Sequence, residues 1–285
     1  MRLHVIGSGC PHPTPDWYGS AFILEVGRES VLIDCGPATT YKMTRMGLKP
    51  GQVGHVFLTH HHFDHNADLP CFALTRWDFS KGTEAPLPIY GPPPTKAFVE
   101  QLFGSHGAFA PDIQARVKHP ASRKLHKGRG GRMPRPAPAF DARDVAPGPV
   151  AKTKAWTATA ERVHHCEPWL ESLAYRFETD HGSILFAGDC ADCPELRHFA
   201  QGVHTLVCAC AYVGRYDPVI ADVITGAAEA GEIAQQAGAR RLLLTHVSPA
   251  FTRASTRRRA LAEAARAFSG EILLPKELST VELVA

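Results

Sequence analysis

Residues 56–66, which read V-F-L-T-H-H-H-F-D-H-N, constrain this chain more than any other stretch. A short apolar run, residues 56–58, leads through Thr59 into a dense group of side chains that could bind a metal ion: His60, His61, His62, Asp64 and His65. Such a run predicts a buried strand, and the turns after a strand end can aim side chains into a shared pocket. Packing alone does not explain this density of polar side chains.

The spacing of these side chains predicts two groups of metal ligands. Residues two apart in an extended segment point the same way, so His60 and His62 can converge on one ion. Asp64 and His65 follow a tighter bend and could face a second ion beside the first. Imidazole and carboxylate ligands favour zinc or a similar transition metal over calcium or magnesium. A solvated histidine run or an engineered tag is the alternative, but Asp64 and the apolar lead-in are not typical of a tag.

The composition is that of an ordinary globular protein. The chain has 285 residues, of which 44% are hydrophobic and 21% charged, so one large domain, or a domain with an insertion, fits better than two equal ones. Strand patterns lie on both sides of the middle of the chain, helical patterns such as the alanine-rich residues 222–237 alternate with them, and no repeat of fixed period is apparent. These patterns predict a mixed α/β domain of two sheets.

Export and membrane insertion are disfavoured by the sequence. The first ten residues have no apolar core or cleavage site of a signal peptide, and no apolar stretch approaches the ~18–20 residues needed to cross a membrane. We therefore expect a cytoplasmic protein without membrane contact. Its eight cysteines are then expected to be reduced, and Cys190-x-x-Cys193, which is typical of redox or zinc-ribbon motifs, has no second pair at ribbon spacing.

Three further ligand candidates share the context of the first group. His165, Asp189 and His246 each come directly after an apolar or alternating run that predicts a strand. His164 is the alternative to His165, because the two are adjacent and only one can point inward from a strand. Together with His60, these residues place a potential metal ligand at the end of four predicted strands.

The pattern His60-x-His62-x-Asp64-His65 after an apolar strand resembles the signature of the metallo-β-lactamase superfamily, and the resemblance extends from Leu3 to about Glu282. It implies a four-layer αβ/βα sandwich of two mixed sheets, with residues 1–285 forming a single hydrolase domain. It also implies a dinuclear site for two zinc ions, with manganese or iron as the alternatives.

The resemblance assigns a role to each candidate residue. The ligands of the first ion are expected to be His60, His62 and His165. Those of the second ion are expected to be Asp64, His65 and His246. Asp189 would bridge the two ions, and Asp64 or Asp189 would act in catalysis by orienting the attacking hydroxide. Asp34 lies at the end of another predicted strand. It would support residues 60–65, which we call the metal loop, through hydrogen bonds without being a ligand.

Within the superfamily, three segments resemble ribonuclease Z, which trims the 3′ end of transfer-RNA precursors. They are the Asp-Cys-Gly corner at Asp34, residues 165–176, and the Leu-Thr-His-Val-Ser-Pro ending at residues 244–249. The block at residues 165–176 is the reason to prefer His165 over His164, although its spacing to Tyr175 is longer than in true ribonuclease Z.

Three departures separate the chain from ribonuclease Z. Phe63 stands where that family typically has glycine, Ala209 apparently replaces a glutamate, and residues 224–226 offer no histidine to protonate a leaving oxygen. We therefore expect a member of the ribonuclease Z and arylsulfatase-like branch that hydrolyses a phosphodiester or another activated, small ester. The alternatives are tRNA 3′ processing, lactonase or β-lactamase activity, and a metal- and RNA-binding protein with a degenerate site.

Residues 104–149 carry much of the positive charge, although the net charge of the chain is only +3. No acidic residue lies between Asp112 and Asp141, and eight basic residues fall in that interval: Arg116, Lys118, Arg123, Lys124, Lys127, Arg129, Arg132 and Arg135. Glycines and prolines favour an inserted, extended arm or lid. Its basic part, residues 116–135, could bind nucleic-acid phosphates. The alternative is a solvated loop that covers the site or contacts a second subunit, and the family resemblance also favours a homodimer.

Five aromatic residues are candidates for the wall of the pocket: Trp17, Tyr18, Trp77, Trp169 and Tyr175. Of these, Trp17, Tyr18 and Tyr175 are expected to bind the substrate. Aromatic residues at such positions are more often part of the core. The structure must therefore distinguish the two environments.

Overall fold

Two seven-stranded β-sheets pack face to face in the computed structural model, which describes residues 1–283. Strands are numbered in chain order. The first sheet has the order β14-β1-β2-β3-β4-β5-β6 and consists of β1 Arg2–Ser8, β2 Ser20–Val26, β3 Glu29–Ile33, β4 Val53–Phe57, β5 Leu87–Gly91, β6 Phe140–Asp144 and β14 Ser279–Glu282. The second has the order β13-β12-β11-β10-β9-β8-β7 and consists of β7 Gly148–Lys152, β8 Trp156–Cys166, β9 Leu170–Thr179, β10 Gly182–Phe186, β11 Thr205–Ala209, β12 Arg241–Thr245 and β13 Glu271–Leu273.

Both sheets are mixed, and they follow the same plan. In the first sheet the pairs from β14 to β3 are antiparallel and the pairs from β3 to β6 are parallel. In the second sheet the pairs from β7 to β10 are antiparallel and those from β10 to β13 are parallel. Because parallel strands end at the same edge of a sheet, the residues after β3 and β4 lie together, as do those after β10 and β12.

Helices cover the outer face of each sheet. They are α1 Thr39–Arg45, α2 Phe63–Asn66, α3 Leu69–Asp78, α4 Thr95–Phe103, α5 Ala110–Lys118, α6 Pro120–Gly128, α7 Pro194–Phe199, α8 Pro218–Ala221, α9 Ala227–Gln236 and α10 Ala254–Ala267. The single helix predicted for residues 222–237 is wrong in its first part, because α8 ends at Ala221 and α9 begins only at Ala227. The intervening residues reach the candidate site, as described below.

Three large apolar cores hold these layers together, and a fourth, smaller cluster surrounds Ala209. Met43 of α1 and Phe72 of α3 pack on the first sheet, and Ile233 of α9 packs with α10 on the second. Between the sheets, the rings of Phe57 and Tyr175 meet with their centroids 5.1 Å apart. Burial of large side chains on both faces of each sheet accounts for the stacking of the layers. The predicted α/β fold of two mixed sheets in four layers is confirmed.

The segment 104–149 differs from the extended arm that the sequence predicts. It contains α5, α6 and the strand β6, which pairs in parallel with β5. Pro111 and Pro120 lie in the first turns of α5 and α6, where a missing N–H costs no hydrogen bond, so these prolines start helices instead of preventing them.

Asp78, at the end of α3, fixes this segment to the domain. Arg135 is 4% exposed, and its Nη2 lies 2.7 Å from Asp78 Oδ1. The same guanidinium stacks 4.5 Å from the centroid of the Trp77 ring. Arg116 and Arg129 also pair with Asp78, so three of the eight basic side chains have a structural role.

Within residues 1–283, no helix combines the length and the apolar character that a membrane span requires.

Candidate metal centre

Seven polar side chains from separate parts of the sequence meet where β4, β8, β10 and β12 end. The strand β4 leads into an extended segment with two of the histidines, and α2 carries the next two candidates. The other three lie at the end of β8, after β10 and after β12. The structure thus brings together all the ligand candidates that the sequence predicts: His60, His62, Asp64, His65, His165, Asp189 and His246.

The first cluster consists of three imidazoles. Nδ1 of His62 lies 3.1 Å from Nε2 of His60 and 3.3 Å from Nε2 of His165. Nitrogen ligands ~2.0–2.1 Å from one tetrahedral zinc ion are separated by roughly 3.3–3.4 Å. The three nitrogen atoms are therefore spaced as a single transition-metal ion requires.

The second cluster combines two imidazoles with two carboxylates. His246 Nε2 lies 2.9 Å from Asp189 Oδ2 and 3.2 Å from Asp64 Oδ2. His65 Nε2 lies 3.5 Å from Asp189 Oδ1 and 3.6 Å from Asp64 Oδ2. All four residues are buried. Two carboxylates and two imidazoles supply the oxygen and nitrogen ligands that a divalent transition metal prefers.

The two clusters lie side by side, since the ring centroids of His60 and His65 are 4.0 Å apart. Burial lowers the pKa of His60 and of His62, which keeps both imidazoles neutral. Burial also opposes a charge on His246, but Asp189 outweighs it and raises the pKa of His246 to about 9. The carboxylates of the second cluster therefore stabilise a positive charge beside them, while the first cluster consists of neutral nitrogen donors.

Several buried polar atoms of the second cluster have no hydrogen-bond partner among residues 1–283. One is His246 Nδ1, and the other three are Asp64 Oδ1, His65 Nε2 and Asp189 Oδ1. A buried polar atom without a partner costs roughly 1–3 kcal/mol. A cation would satisfy all three atoms, so the donor set fits a metal ion at this cluster as well.

Asp34 holds the metal loop in place through hydrogen bonds. Its carboxylate accepts hydrogen bonds from the Nδ1–H of His65 at 2.7 Å, the backbone N–H of Thr59 at 2.8 Å and the hydroxyl of Ser20 at 3.2 Å. Asp34 and His246 both follow strands and adopt positive φ angles, 57° and 52°, which are uncommon for residues other than glycine. Local strain of this kind is concentrated at functional sites. The role of Thr59 cannot be predicted from the sequence, because every residue type except proline offers the same backbone N–H.

Only one of the two adjacent histidines at the end of β8 turns inward. His165 is 6% exposed, and its Nδ1–H donates to the carbonyl of Val223 at 2.6 Å, which leaves Nε2 directed at the first cluster. His164 is on the surface, where its Nδ1 lies 3.0 Å from Glu167 Oε2. Val223 lies in the non-helical segment between α8 and α9, and its role was not predicted.

The predicted aromatic wall is corrected by the structure. Tyr175 is fully buried between the sheets and donates its hydroxyl to the carbonyl of Leu58 at 3.0 Å. Trp17 is 5% exposed and packs in the core beneath α10. Tyr18 is half-buried under the ammonium group of Lys42, 6.0 Å from its ring centroid. In a sandwich with several cores, the alternation of apolar and polar residues along a strand does not show in which core a buried aromatic ring lies.

Of the five aromatic candidates, Trp169 is largely exposed, and it lies with other exposed apolar side chains on the loops that carry the site. Phe63, the first residue of α2, is 56% exposed, and Trp169, in the turn after β8, is 88% exposed. The segment that ends at Val223 adds Tyr216, Val219 and Ile220. We call these five residues the apolar rim.

The positions that distinguish the chain from ribonuclease Z are apolar or already hydrogen-bonded. Ala209 is buried in a small apolar cluster with Tyr212 and Ile224. Thr225 donates its hydroxyl to the carbonyl of Cys190 at 3.2 Å.

All eight cysteines are free thiols. Burial raises the pKa of both Cys190 and Cys193, and this pair belongs to the core under α7.

Comparison with known proteins decides the family. A family model described as "Beta-lactamase superfamily domain" matches residues 29–247. The chain belongs to the metallo-β-lactamase superfamily. It is accordingly a metal-dependent hydrolase, and its cluster of histidines and aspartates is consistent with a metal-dependent site.

This superfamily member is similar to proteins named ribonuclease Z. The sequence is 30% identical to the protein named ribonuclease Z from Mycobacterium bovis (strain BCG / Pasteur 1173P2). The match extends over 295 residues and covers 99% of this chain and 98% of the relative. It is also 30% identical to the protein named ribonuclease Z from Mycolicibacterium paratuberculosis over 300 residues. This match covers 100% of this chain and 99% of the relative.

Solved structures support the same fold. The metallo-β-lactamase fold protein YhfI from Bacillus subtilis superposes with a TM-score of 0.76 at 21% identity, covering 98% of each chain. Human tRNase Z, short form, superposes with a TM-score of 0.71 at 18% identity, covering 100% of each chain. At these identities the comparison establishes the architecture alone.

Proposed function

We propose that this protein is a phosphodiester hydrolase that uses two metal ions. The observation that supports this most directly is the pair of adjacent clusters, one with three imidazoles and one with two imidazoles and two carboxylates. His60, His62 and His165 would hold the first ion, and the second cluster would hold the other. Zinc fits this donor set best, with manganese or iron as alternatives. Asp189 would bridge the two ions.

When bound, two such ions lower the pKa of a water molecule towards neutrality and stabilise the charge that develops on the ester oxygens. The protein's own contribution is to orient and deprotonate the attacking water. Asp64 or Asp189 would accept that proton through a carboxylate oxygen that does not bind a metal ion, because both carboxylates lie in the second cluster. Asp34 fixes the ring of His65 through Nδ1, and the Val223 carbonyl fixes His165 in the same way.

The substrate is proposed to be an activated ester. Ala209 and Thr225 stand where ribonuclease Z resemblance leads us to expect groups that assist proton transfer to the leaving oxygen. General acid catalysis contributes ~10²–10⁴-fold, so its loss matters most for poor leaving groups. An aryl or similarly activated leaving group departs without a proton. The apolar rim would bind such a group, because its side chains lie on the loops that position the ligands.

A second candidate function is the 3′ processing of transfer-RNA precursors. It is favoured by the relatives named ribonuclease Z, which match over nearly their whole length. It is also favoured by five basic side chains around α6 that have no carboxylate partner among residues 1–283: Lys118, Arg123, Lys124, Lys127 and Arg132. Such a surface can bind RNA phosphates.

Steady-state rates on a panel of substrates distinguish these functions. The panel contains bis(4-nitrophenyl) phosphate, an aryl sulfate, an aryl carboxylic ester, a lactone, a β-lactam and a precursor transfer RNA. We expect the highest kcat/KM with the phosphodiester. Fast, specific trimming of the RNA would replace the first candidate by the second, and a preference for the lactone or β-lactam would exclude both. Fewer than one metal ion per chain together with nanomolar RNA binding would indicate a degenerate site.

A further inference from the structure

We propose that the protein has a second binding site, separate from the metal centre, for a nucleotide-sized organic phosphate. The site is a pocket of about 690 Å³ between the loop before β2, the end of α1, the first half of α10 and the connection from β13 to β14. We call it the basic pocket, and its defining side chains are Trp17, Arg45, Arg258, Leu274, Lys276 and Glu277. None of the seven metal-ligand candidates lines it.

Uncompensated positive charge is the first feature that indicates an anionic ligand. Two of the five cationic side chains that line the pocket are already engaged: Lys42 pairs with Glu277 at 2.5 Å, and Arg257 donates to the carbonyl of Thr252 at 2.9 Å. The other three, Arg45, Arg258 and Lys276, make no ion pair or side-chain hydrogen bond within residues 1–283 and are exposed. Asp16 also lines the pocket, so five cationic side chains share it with two carboxylates, Asp16 and Glu277, and the balance is positive. Arginine and lysine converging on one concave surface are typical of phosphate recognition.

The ring of Trp17 is the second feature. It lines the pocket beside Arg257, whose guanidinium lies 5.8 Å from the ring centroid. Trp17 therefore adds an aromatic surface next to the basic side chains, which suits the organic part of a ligand.

The floor of the pocket accounts for the organic part of the ligand. Leu261, Ile272 and Leu274 line it and remain only partly buried against the core. A volume of about 690 Å³ lies within the range of small-molecule sites and exceeds what inorganic phosphate would fill. A nucleoside mono- or diphosphate combines a planar apolar base with a multiply charged phosphate, and it matches both halves of this surface.

Glu277 connects two segments that form one wall of the pocket. One oxygen of Glu277 accepts the backbone N–H of Ser8 at 3.0 Å and that of Tyr18 at 2.6 Å, while the other oxygen pairs with Lys42. These bonds tie the loop before β2 to the connection before β14. The pocket therefore keeps its shape without a ligand, which reduces the entropic cost of binding.

Isothermal titration calorimetry of the metal-loaded protein with ADP tests the proposal. We expect one high-affinity site per chain, weakened at least 10-fold in the double variant Arg258→Ala/Lys276→Ala, which removes two of the three unpaired cations of the pocket. Arg266→Ala, an exposed arginine of α10 outside the pocket, is the matched control and should bind as the wild type does. Adenosine and inorganic phosphate alone should each bind much more weakly than ADP.

The metal centre is the competing location for ADP, and the variant His62→Ala distinguishes it. Unchanged ADP affinity in His62→Ala, together with the loss in the double variant, supports the basic pocket. ADP binding that disappears in His62→Ala but persists in Arg258→Ala/Lys276→Ala would overturn the proposal. The absence of ADP binding to the wild type at millimolar concentration would also overturn it. Neither result bears on phosphodiester hydrolysis, which is measured separately.

Discussion

Asp34 Oδ2 lies 2.7 Å from Nδ1 of His65, and both residues are buried. The pair joins the end of β3 to the metal loop after β4. Asp34 is not expected to bind a metal ion, but it determines the orientation of His65, which is proposed to bind one. With Nδ1–H bound to the carboxylate, Nε2 faces the second cluster. Carboxylate–histidine pairs of this kind fix the tautomer and increase the basicity of the ligand nitrogen.

Asp34→Asn is therefore expected to weaken binding of the second metal ion by about 10–100-fold while the fold is retained. Competition with a fluorescent zinc chelator measures both affinities. Asp68→Asn is the matched control, because the carboxylate of Asp68 accepts hydrogen bonds from Thr40. Equal metal affinity in Asp34→Asn and Asp68→Asn would show that the pair does not orient a ligand.

The adjacent histidines at the end of β8 provide a test of the first cluster. His165→Ala removes one of three nitrogen donors and should reduce the metal content from two ions per chain to one. His164→Ala should leave two ions, because the His164 side chain faces Glu167 at the surface. Metal content measured by mass spectrometry on the two variants distinguishes them. The reverse result would assign the ligand to His164.

The pH dependence of stability should depend on Asp78. Burial opposes its charge, but Arg135 and the two other arginines outweigh burial and lower the pKa of Asp78. Because the folded-state pKa lies below that of the unfolded chain, the stabilisation is complete above roughly pH 4 and is lost as the pH falls through the folded-state value. Asp78→Asn should thus lower the free energy of unfolding by about 3 kcal/mol at pH 7.

Urea denaturation at pH 7 and at pH 3 measures this effect, and the difference between wild type and Asp78→Asn should shrink at the lower pH. Asp141→Asn serves as the control, since Asp141 pairs with Arg143 at an exposed site and should cost less than about 0.5 kcal/mol. A loss in Asp78→Asn that is the same at both pH values would exclude the ion pairs as its cause.

The ligand candidates could be predicted from the sequence because the chemistry is local. The histidines and aspartates occur in a short motif or directly after apolar runs, and parallel strands necessarily end at one edge. Val223 could not be predicted, because its contribution is a backbone carbonyl and it lies 58 residues from His165. Every residue type offers the same carbonyl, so the sequence carries no signal for it.

Burial and charge were harder to predict than ligands. Tyr175 and Trp169 are both aromatic residues near His165, yet one is completely buried between the sheets and the other is 88% exposed. The basic segment was predicted to be extended because of its glycines and prolines, but Pro120 begins a helix and Arg135 is buried against Asp78. In each case a tertiary contact, absent from the local pattern, decides the conformation.

The apolar rim can be tested through Trp169. Since the side chain is 88% exposed, Trp169→Ala should change the free energy of unfolding by less than about 0.5 kcal/mol. It should raise KM for bis(4-nitrophenyl) phosphate several-fold with little change in kcat, because uniform binding of the aryl group is lost. Tyr41→Ala, an aromatic residue of α1 that is 68% exposed, is the control and should leave KM unchanged. The same KM in wild type and Trp169→Ala would exclude this role.

The proposal that two metal ions share Asp189 is tested most directly by the rate of phosphodiester hydrolysis in Asp189→Ala. Both proteins are loaded with zinc under the same conditions, and kcat/KM is measured with bis(4-nitrophenyl) phosphate. We expect Asp189→Ala to lose at least about 10³-fold, because both the bridging oxygen and a proton acceptor are removed. Activity within a few-fold of the wild type would contradict the two-metal assignment.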